Sequence, residues 1–288
     1  VYEWLRNPGA FYENLAYCAP CGLSAPQTEL RRLRYMADSP TEFTVSLARD
    51  EADLRDAQAL RYQVFVEEMG ADGALVDHQQ GLETDRFDAF CDHMIIRETA
   101  QGRAIGIYRL MRSDQAQQAG GFYSEDEYDL GPLLSSKRRL LELGRSCLHP
   151  DFRGGKALFY LWSGLNDYVA EHDIEVLFGT ASFAGTELQS LAGPLTVLHQ
   201  DYLAPEALRC RSRRYQAMDL VPPSAVDRKR AMVECPALIK AYLRLGGTVG
   251  DGAFVDHEFN TTDVMMILDT ARMTTRQKRF YSTTKARG

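Results

Sequence analysis

Three charged side chains stand where an apolar residue would be expected. In Leu140-Leu141-Glu142-Leu143-Gly144-Arg145-Ser146-Cys147-Leu148, Glu142 and Arg145 interrupt a run with the composition of a buried strand. Arg109 does the same in Gly106-Ile107-Tyr108-Arg109-Leu110-Met111. A buried charge is costly unless paired, so these groups either pair in the core or face a cleft. Gly144 within the strand marks a bulge or a close backbone approach. A bulge would free backbone N–H groups near Ser146 and Cys147 to hold a thioester carbonyl as it becomes an oxyanion.

The same strand runs into His149-Pro150-Asp151-Phe152-Arg153-Gly154-Gly155-Lys156, after which a helix begins. Glycines at a helix start let N–H groups face an anion, and the helix dipole adds to the attraction. With the charges of Arg153 and Lys156, the turn suits the phosphate of a pantetheine-bearing donor. A tight strand–helix turn needing positive φ explains the two glycines equally well. No G-x-x-x-x-G-K-[ST] loop follows a strand, which argues against a nucleotide P-loop.

Hydrophobic periodicity supplies the elements that must position these groups. Phe43 to Ala48 alternates as a strand, and Asp50 can cap a helix carrying Leu54, Ala57, Leu60, Val64 and Phe65 and ending near Met69-Gly70. An acidic loop with Asp72, Asp77, Glu83, Asp85 and Asp88 follows. Residues 90–98 and 103–112 read as antiparallel strands, 115–131 as a loop, 140–148 as a central strand and 156–172 as an amphipathic helix. Residues 174–180 form a buried strand. Residues 185–202 are helical with Pro194 as a kink, and 203–235 form a basic excursion. Pro236 opens a helix to Leu245, and 262–268 is the last strand. The expected fold is mixed α/β: a largely antiparallel central sheet flanked by helices over residues 43–270, with an extension over 1–42 (including a short helix around Thr28 to Met36) and a basic tail over 271–288.

Composition bounds the function classes. The chain has 288 residues, 45% hydrophobic and 25% charged, with formal net charge −7. An acidic chain argues against non-specific nucleic-acid binding. Basic clusters at Lys137-Arg138-Arg139, Arg209 to Arg214 and Arg228-Lys229-Arg230 are solvated loop charge or a dock for an acidic partner or an anionic membrane. No apolar run reaches the roughly 18 residues of a membrane span, and Val1 to Ala10 lack a signal peptide's apolar core. The expectation is a cytoplasmic protein, with peripheral contact at the inner membrane left open. Cys18 and Cys21 form one C-x-x-C without a second pair, so no metal set is expected.

Glu142 to Arg153 closely resembles the signature of the ornithine N-acyltransferases that begin ornithine-lipid synthesis, members of the GNAT superfamily. Leu60 to Gly70, Asp85 with Phe87-Asp88, His93, Gly106 to Leu110, Gly121 to Glu125, Phe178 to Phe183, Pro236 to Leu245 and Phe254-Val255-Asp256 extend the resemblance over residues 43–269. A more distant likeness is to acyl-homoserine-lactone synthases, which have Ser where this chain has Gly144. The resemblance implies a GNAT-like fold and transfer of a 3-hydroxyacyl group from an acyl-carrier-protein thioester to the α-amine of ornithine, giving lyso-ornithine lipid. No separate cofactor is implied, the donor's phosphopantetheine thioester being a co-substrate. The acceptor amine must lose a proton before attack, and a general base contributes about 10²–10⁴-fold. Glu142 is the first choice, and a structural role beside Arg145 is the alternative. Arg109 or Arg145 suits the acceptor's carboxylate, Asp85 and Asp88 its second ammonium, and Arg153, Gly154, Gly155 and Lys156 the donor phosphate. Cys147 as a covalent nucleophile is disfavoured for want of an adjacent His, unless His93 folds next to it. Two other readings stand beside this one: another acceptor, such as lysine, glutamine, glycine or a methionine derivative, and a non-catalytic peripheral membrane or signalling protein on the same scaffold.

Overall fold

The computed structural model describes residues 42–73, 76–153, 156–275 and 277. The 1–42 extension up to position 41, Cys18 and Cys21, the Gly154-Gly155 pair and most of the basic tail lie outside them. The strands are β1 (Phe43–Leu47), β2 (Val76–Asp77), β3 (Leu82–Glu83), β4 (Asp92–Glu98), β5 (Ala104–Arg112), β6 (Tyr128–Asp129), β7 (Leu140–Leu148), β8 (Val176–Ala184), β9 (Arg211–Ser212), β10 (Thr248–Val249), β11 (Phe254–Asp256) and β12 (Thr261–Asp269). The main sheet has the order β1-β4-β5-β7-β8-β12-β10, with β11 also paired to β12. Its pairings are antiparallel except β7 with β8. This is the mixed, largely antiparallel sheet that the periodicity predicts.

Helices cover both faces: α1 (Glu51–Arg61), α2 (Ser113–Ala119), α3 (Gly131–Ser135), α4 (Ala157–Glu171), α5 (Ala192–Tyr202), α6 (Arg228–Glu234) and α7 (Ala237–Arg244). Asp50 caps α1 by accepting from the Asp53 N–H. A π-helical turn over Tyr62–Glu68 then carries the chain to Met69. On one face, Leu161, Leu165, Tyr168, Ile239 and Tyr242 pack on Tyr108, Leu110, Leu141, Leu177, Val264 and Met266. The other face holds two separate apolar clusters. One joins Ala57 and Leu60 to Ile95, Ile107 and Cys147. The other joins Phe122, Tyr128 and Leu133 to Met111, Leu140, Phe178, Met265 and Ile267. Along β5, Arg109 falls between Ile107 and Met111, and along β7, Glu142 and Arg145 fall between Leu140 and Cys147. The charged residues thus occupy the gap between two cores.

Three local expectations are corrected. The segment expected as a loop over 115–131 contains most of α2, a 3₁₀ turn over Tyr123–Asp126 and strand β6. Pro194 does not kink a long helix: α5 begins only at Ala192, so Pro194 lies in its first turn, where the missing N–H has no intrahelical partner to lose. Pro236 precedes α7 as its N-cap instead of being its first residue. Among the described residues, no helix is long and apolar enough to cross a membrane.

Candidate active site

The parting of β7 from β8 sets the geometry. Their parallel ladder pairs only Leu140 with Val176, Leu141 with Leu177 and Glu142 with Phe178. Both strands continue, β7 on β5 as far as Leu148 and β8 on β12 along its whole length. The sheet therefore opens beyond Glu142, and the edge of β7 facing the opening leaves its β8 ladder there. Gly179 sits at the apex. A Cβ there would meet the Leu143 carbonyl oxygen at 2.2 Å, so the strands can approach this closely before parting only with glycine at that position.

The expected bulge lies one residue beyond the expected place. Gly144 itself stays in register opposite Arg109, and Arg145 and Ser146 together oppose Tyr108. Arg145, not the glycine, takes the left-handed conformation, with φ +49°. That costs about 1 kcal/mol or more for a residue with a Cβ. A Cβ at Gly144 would lie 3.6 Å from the Arg109 guanidinium, an ordinary contact, so neither space nor a positive φ demands glycine there.

Arg145 is held in its strained conformation by ion pairs on the acidic loop. It contacts Glu83 at 3.2 Å and Asp85 at 3.1 Å. Arg109 pairs with Asp85 and, at 3.3 Å, with Asp88. Arg61, the last residue of α1, pairs with Asp88 at 2.7 Å and with Glu83. Three arginines and three carboxylates thus alternate in a closed ring: Arg61, Glu83, Arg145, Asp85, Arg109, Asp88 and back to Arg61. Burial pushes the Asp88 carboxyl up, but Arg61 and Arg109 outweigh it and hold it at about 2. Asp85 is likewise held below the usual range, burial being overcome by Arg109 and Arg145. Tyr123 covers the ring, with the Arg145 guanidinium 4.7 Å and the Arg109 guanidinium 5.3 Å from its ring centre.

Glu142 does not join the ring. Its two oxygens accept the backbone N–H groups of Tyr123 at 2.9 Å and Ser124 at 2.7 Å. It thereby ties down the turn that presents Tyr123 to the arginines. Burial raises its carboxyl above the ordinary range, against the lowering effect of those bonds. Ser146 stands in the bulge opposite Tyr108, whose buried hydroxyl meets the Tyr242 hydroxyl at 3.1 Å. Cys147 is buried, and burial pushes its thiol up to about 12, which suits packing and not nucleophilic attack.

The structure brings Arg109, Arg145, Asp85 and Asp88 together, and Glu142 and Ser146 beside them. The helix-start residues behave differently. Arg153 makes a bidentate pair with Glu68, at 2.5 and 2.6 Å, and also donates to the Leu148 carbonyl at 3.0 Å. Lys156 lies 3.8 Å from Glu42, with both side chains exposed. Much of the basic clustering is also locally neutralised: Arg138 by Asp269, Arg211 by Asp251, Arg228 by Asp201 and Arg230 by Glu234.

Sequence reasoning left five buried or half-buried charges off the site: Arg61, Glu83, Glu127, Asp256 and Asp263. Arg61 was detectable, since it continues the apolar stripe of Leu54 and Ala57 on α1. Asp263 had the same kind of signal, a charge within the apolar run of β12. Glu127 had none, because its burial is created by the turn that Glu142 anchors.

Residues 60–163 match the family model described as acetyltransferase (GNAT) domain. An L-ornithine N(alpha)-acyltransferase of Rhodobacter capsulatus is 53% identical over 252 residues, covering 86% of this chain and 97% of that protein. One of Brucella abortus is 44% identical over 246 residues, covering 82% and 88%. Among solved structures, an N-acyl amino acid synthase from uncultured soil microbes aligns with a TM-score of 0.47 at 12% identity, over 82% of this chain and 97% of that one.

Proposed function

The chain belongs to the family of L-ornithine N(alpha)-acyltransferases, and from that premise we propose that it transfers a 3-hydroxyacyl group from an acyl-carrier-protein thioester to the α-amine of L-ornithine, giving lyso-ornithine lipid. The chain is an acyltransferase by family; the donor, the acyl class and the acceptor are this proposal's own. The observation that carries the reaction type is the parting of β7 and β8 at Glu142, close to a bulge in the β5–β7 ladder. A thioester lying in that opening would meet backbone N–H groups near Ser146 and Cys147. The amine nitrogen then attacks the thioester carbon, a C–N bond forms, and the C–S bond breaks. The amine's proton leaves and the carrier thiol is released.

In this reading Glu142 serves as the base. It stands at the last paired position before the strands part, and its raised affinity for a proton suits the role. Each oxygen accepts one backbone N–H and retains a second lone pair. The ring supplies orientation: it holds Arg145 in the conformation that shapes the bulge. The donor's phosphate is placed against the start of α4, with Arg153 and Lys156 near it.

The test is mass spectrometry of the product made by purified protein from 3-hydroxyacyl-carrier protein and ornithine. N-acylated ornithine is expected. If a panel of labelled amino acids gives acylated lysine or glutamine but no acylated ornithine, the acceptor assignment falls. For Glu142→Gln, a loss of about 10²-fold or more in kcat with a flattened pH profile is expected. A folded variant with near wild-type rate at every pH would remove Glu142 from the base's place.

A further inference from the structure

Beside the balanced ring lie carboxylates with no balancing charge. Glu127, Asp256 and Asp263 each offer one oxygen, and these oxygens lie within 4.8 Å of one another. Glu127 is 5% exposed and Asp263 4% exposed. Glu127 Oε2 and Asp263 Oδ1 make no hydrogen bond. Among the described residues no arginine, lysine or histidine forms an ion pair with any of the three, and Arg145 is committed to Glu83 and Asp85. The other sides of the cluster are occupied. Asp256 accepts the backbone N–H groups of Glu258 at 2.8 Å and Phe259 at 3.0 Å, and Thr261 donates its hydroxyl to Asp263 Oδ2 at 3.3 Å.

Such an arrangement is unfavourable by itself and favourable around a cation. A buried polar atom without a partner costs about 1–3 kcal/mol, more when charged, and three converging carboxylates repel one another. Glu127 Oε2 and Asp263 Oδ1 are left without a donor, and with an oxygen of Asp256 close by they match the three N–H donors of a primary ammonium. Asp256, only half-buried, leaves the cluster a way to solvent.

We propose that Glu127, Asp256 and Asp263 bind the side-chain ammonium of the amino-acid acceptor, so that the enzyme selects a diamino acid over an acceptor of equal length with an uncharged side chain. This rests on the amino-acid-acylating function above and moves the ammonium site away from Asp85 and Asp88, whose charges the ring already balances.

The experiment compares kcat/KM for ornithine with that for 2-aminopentanoic acid, which lacks only the terminal ammonium, in wild type, Glu127→Gln and Asp263→Asn. The wild type is expected to prefer ornithine by about 10²-fold or more, the scale of a buried charged contact. Each variant should cut that ratio at least tenfold, mostly by raising the KM for ornithine. Removing a repelling carboxylate should also leave the variants with a Tm at or above wild type, so loss of selectivity is separable from misfolding. Equal use of both acceptors by the wild type, or an unchanged ratio in both folded variants, overturns the inference and leaves the acylation of ornithine standing. If the wild type acylates no ornithine, the functional reading fails. The inference is then decided by titration calorimetry: ornithine must bind the wild type and fail to bind Glu127→Gln. Divalent-cation binding that is abolished by Glu127→Gln, with the KM for ornithine unaffected, would make the cluster a metal site and also overturn the proposal.

Discussion

Two charged clusters lie on the same side of the sheet and meet near Arg145, yet they are built on opposite principles. In the first, Arg61, Arg109 and Arg145 alternate with Glu83, Asp85 and Asp88, and every charge has two partners. In the second, Glu127, Asp256 and Asp263 face one another with no arginine between them. Both are largely buried, so burial does not distinguish them. Pairing does, and it separates a cluster that shapes the site from one whose chemistry calls for a ligand. The pKa directions follow: the ring holds Asp85 and Asp88 below the ordinary carboxylate range, whereas burial and mutual repulsion raise Glu127 and Asp263 above it.

The sharpest way to break the comparison is to open the ring. Arg61→Met retains bulk but leaves Glu83 and Asp88 short of a partner in a site where Arg61 is fully buried. Breaking a buried pair by removing one member costs about 3–5 kcal/mol, and urea denaturation should show a loss of that size. Because the ring also holds Arg145 at φ +49°, acyl transfer should fall even at temperatures where the variant is folded. A loss below about 1 kcal/mol would show that the ring is not what holds this side of the sheet.

pH offers a second test, because the two clusters have opposite signs. Asp88 is held down at about 2, so its contribution is fully present above its unfolded value of about 4 and is lost as pH falls towards 2. Asp263 is raised to about 6, chiefly by burial and further by Asp256, against the Ser182 and Thr261 hydroxyls. Between pH ~4 and ~6 the folded protein keeps a proton on Asp263 that the unfolded chain has released. Stability therefore falls as pH rises through that window, by up to about 3 kcal/mol at 1.36 kcal/mol per unit. Asp263→Asn should flatten this limb and leave the acid limb in place, as read by thermal melts from pH 3 to 8. Loss of the acid limb instead would reverse the assignment.

A smaller effect of unusual sign is expected at Glu127. Most buried polar substitutions destabilise, but Glu127→Gln replaces a carboxyl that burial and its acidic neighbours hold well above the ordinary range, a cost to the folded state above the unfolded value, and supplies an N–H₂ donor to the neighbouring carboxylates. The protein without acceptor should gain about 1 kcal/mol at pH 7–8, measured by urea denaturation. Ornithine should stabilise the wild type more than the variant.

The two clusters also differ in how far the sequence revealed them. Arg109, Glu142 and Arg145 were visible because each interrupts an apolar strand, and the succession of main strands and helices followed from periodicity, whereas the order of strands in the sheet did not. The glycine in β7 pointed to a bulge, but Gly144 stayed in the ladder and Arg145 took the positive φ. Sequence favours glycine at such a position on local sterics; here ion pairs to Glu83 and Asp85, which lie about 60 residues earlier, stabilise the strained arginine. The second cluster was hidden because it is assembled from three distant segments. Glu127 enters it only through the turn anchored by Glu142, and no local pattern encodes that turn's burial.

The pair of Arg153 with Glu68 stands outside both clusters, and it gives the finest test of how pairing sets function. Both side chains are partly exposed, at 28% and 39%, so the pair contributes at most about 1 kcal/mol to stability. Its larger effect is to neutralise a cation at the start of α4, where the donor's phosphate is proposed to lie. Glu68→Ala should release that charge and lower the donor KM about two- to fourfold. Arg153→Ala should raise it by a similar factor, and both effects should shrink as salt rises to 0.5 M. The double variant should resemble Arg153→Ala, since Glu68 acts only through the arginine. If Glu68→Ala raises the donor KM, the pair is itself the surface the donor reads, and the phosphate lies elsewhere along the opening between β7 and β8.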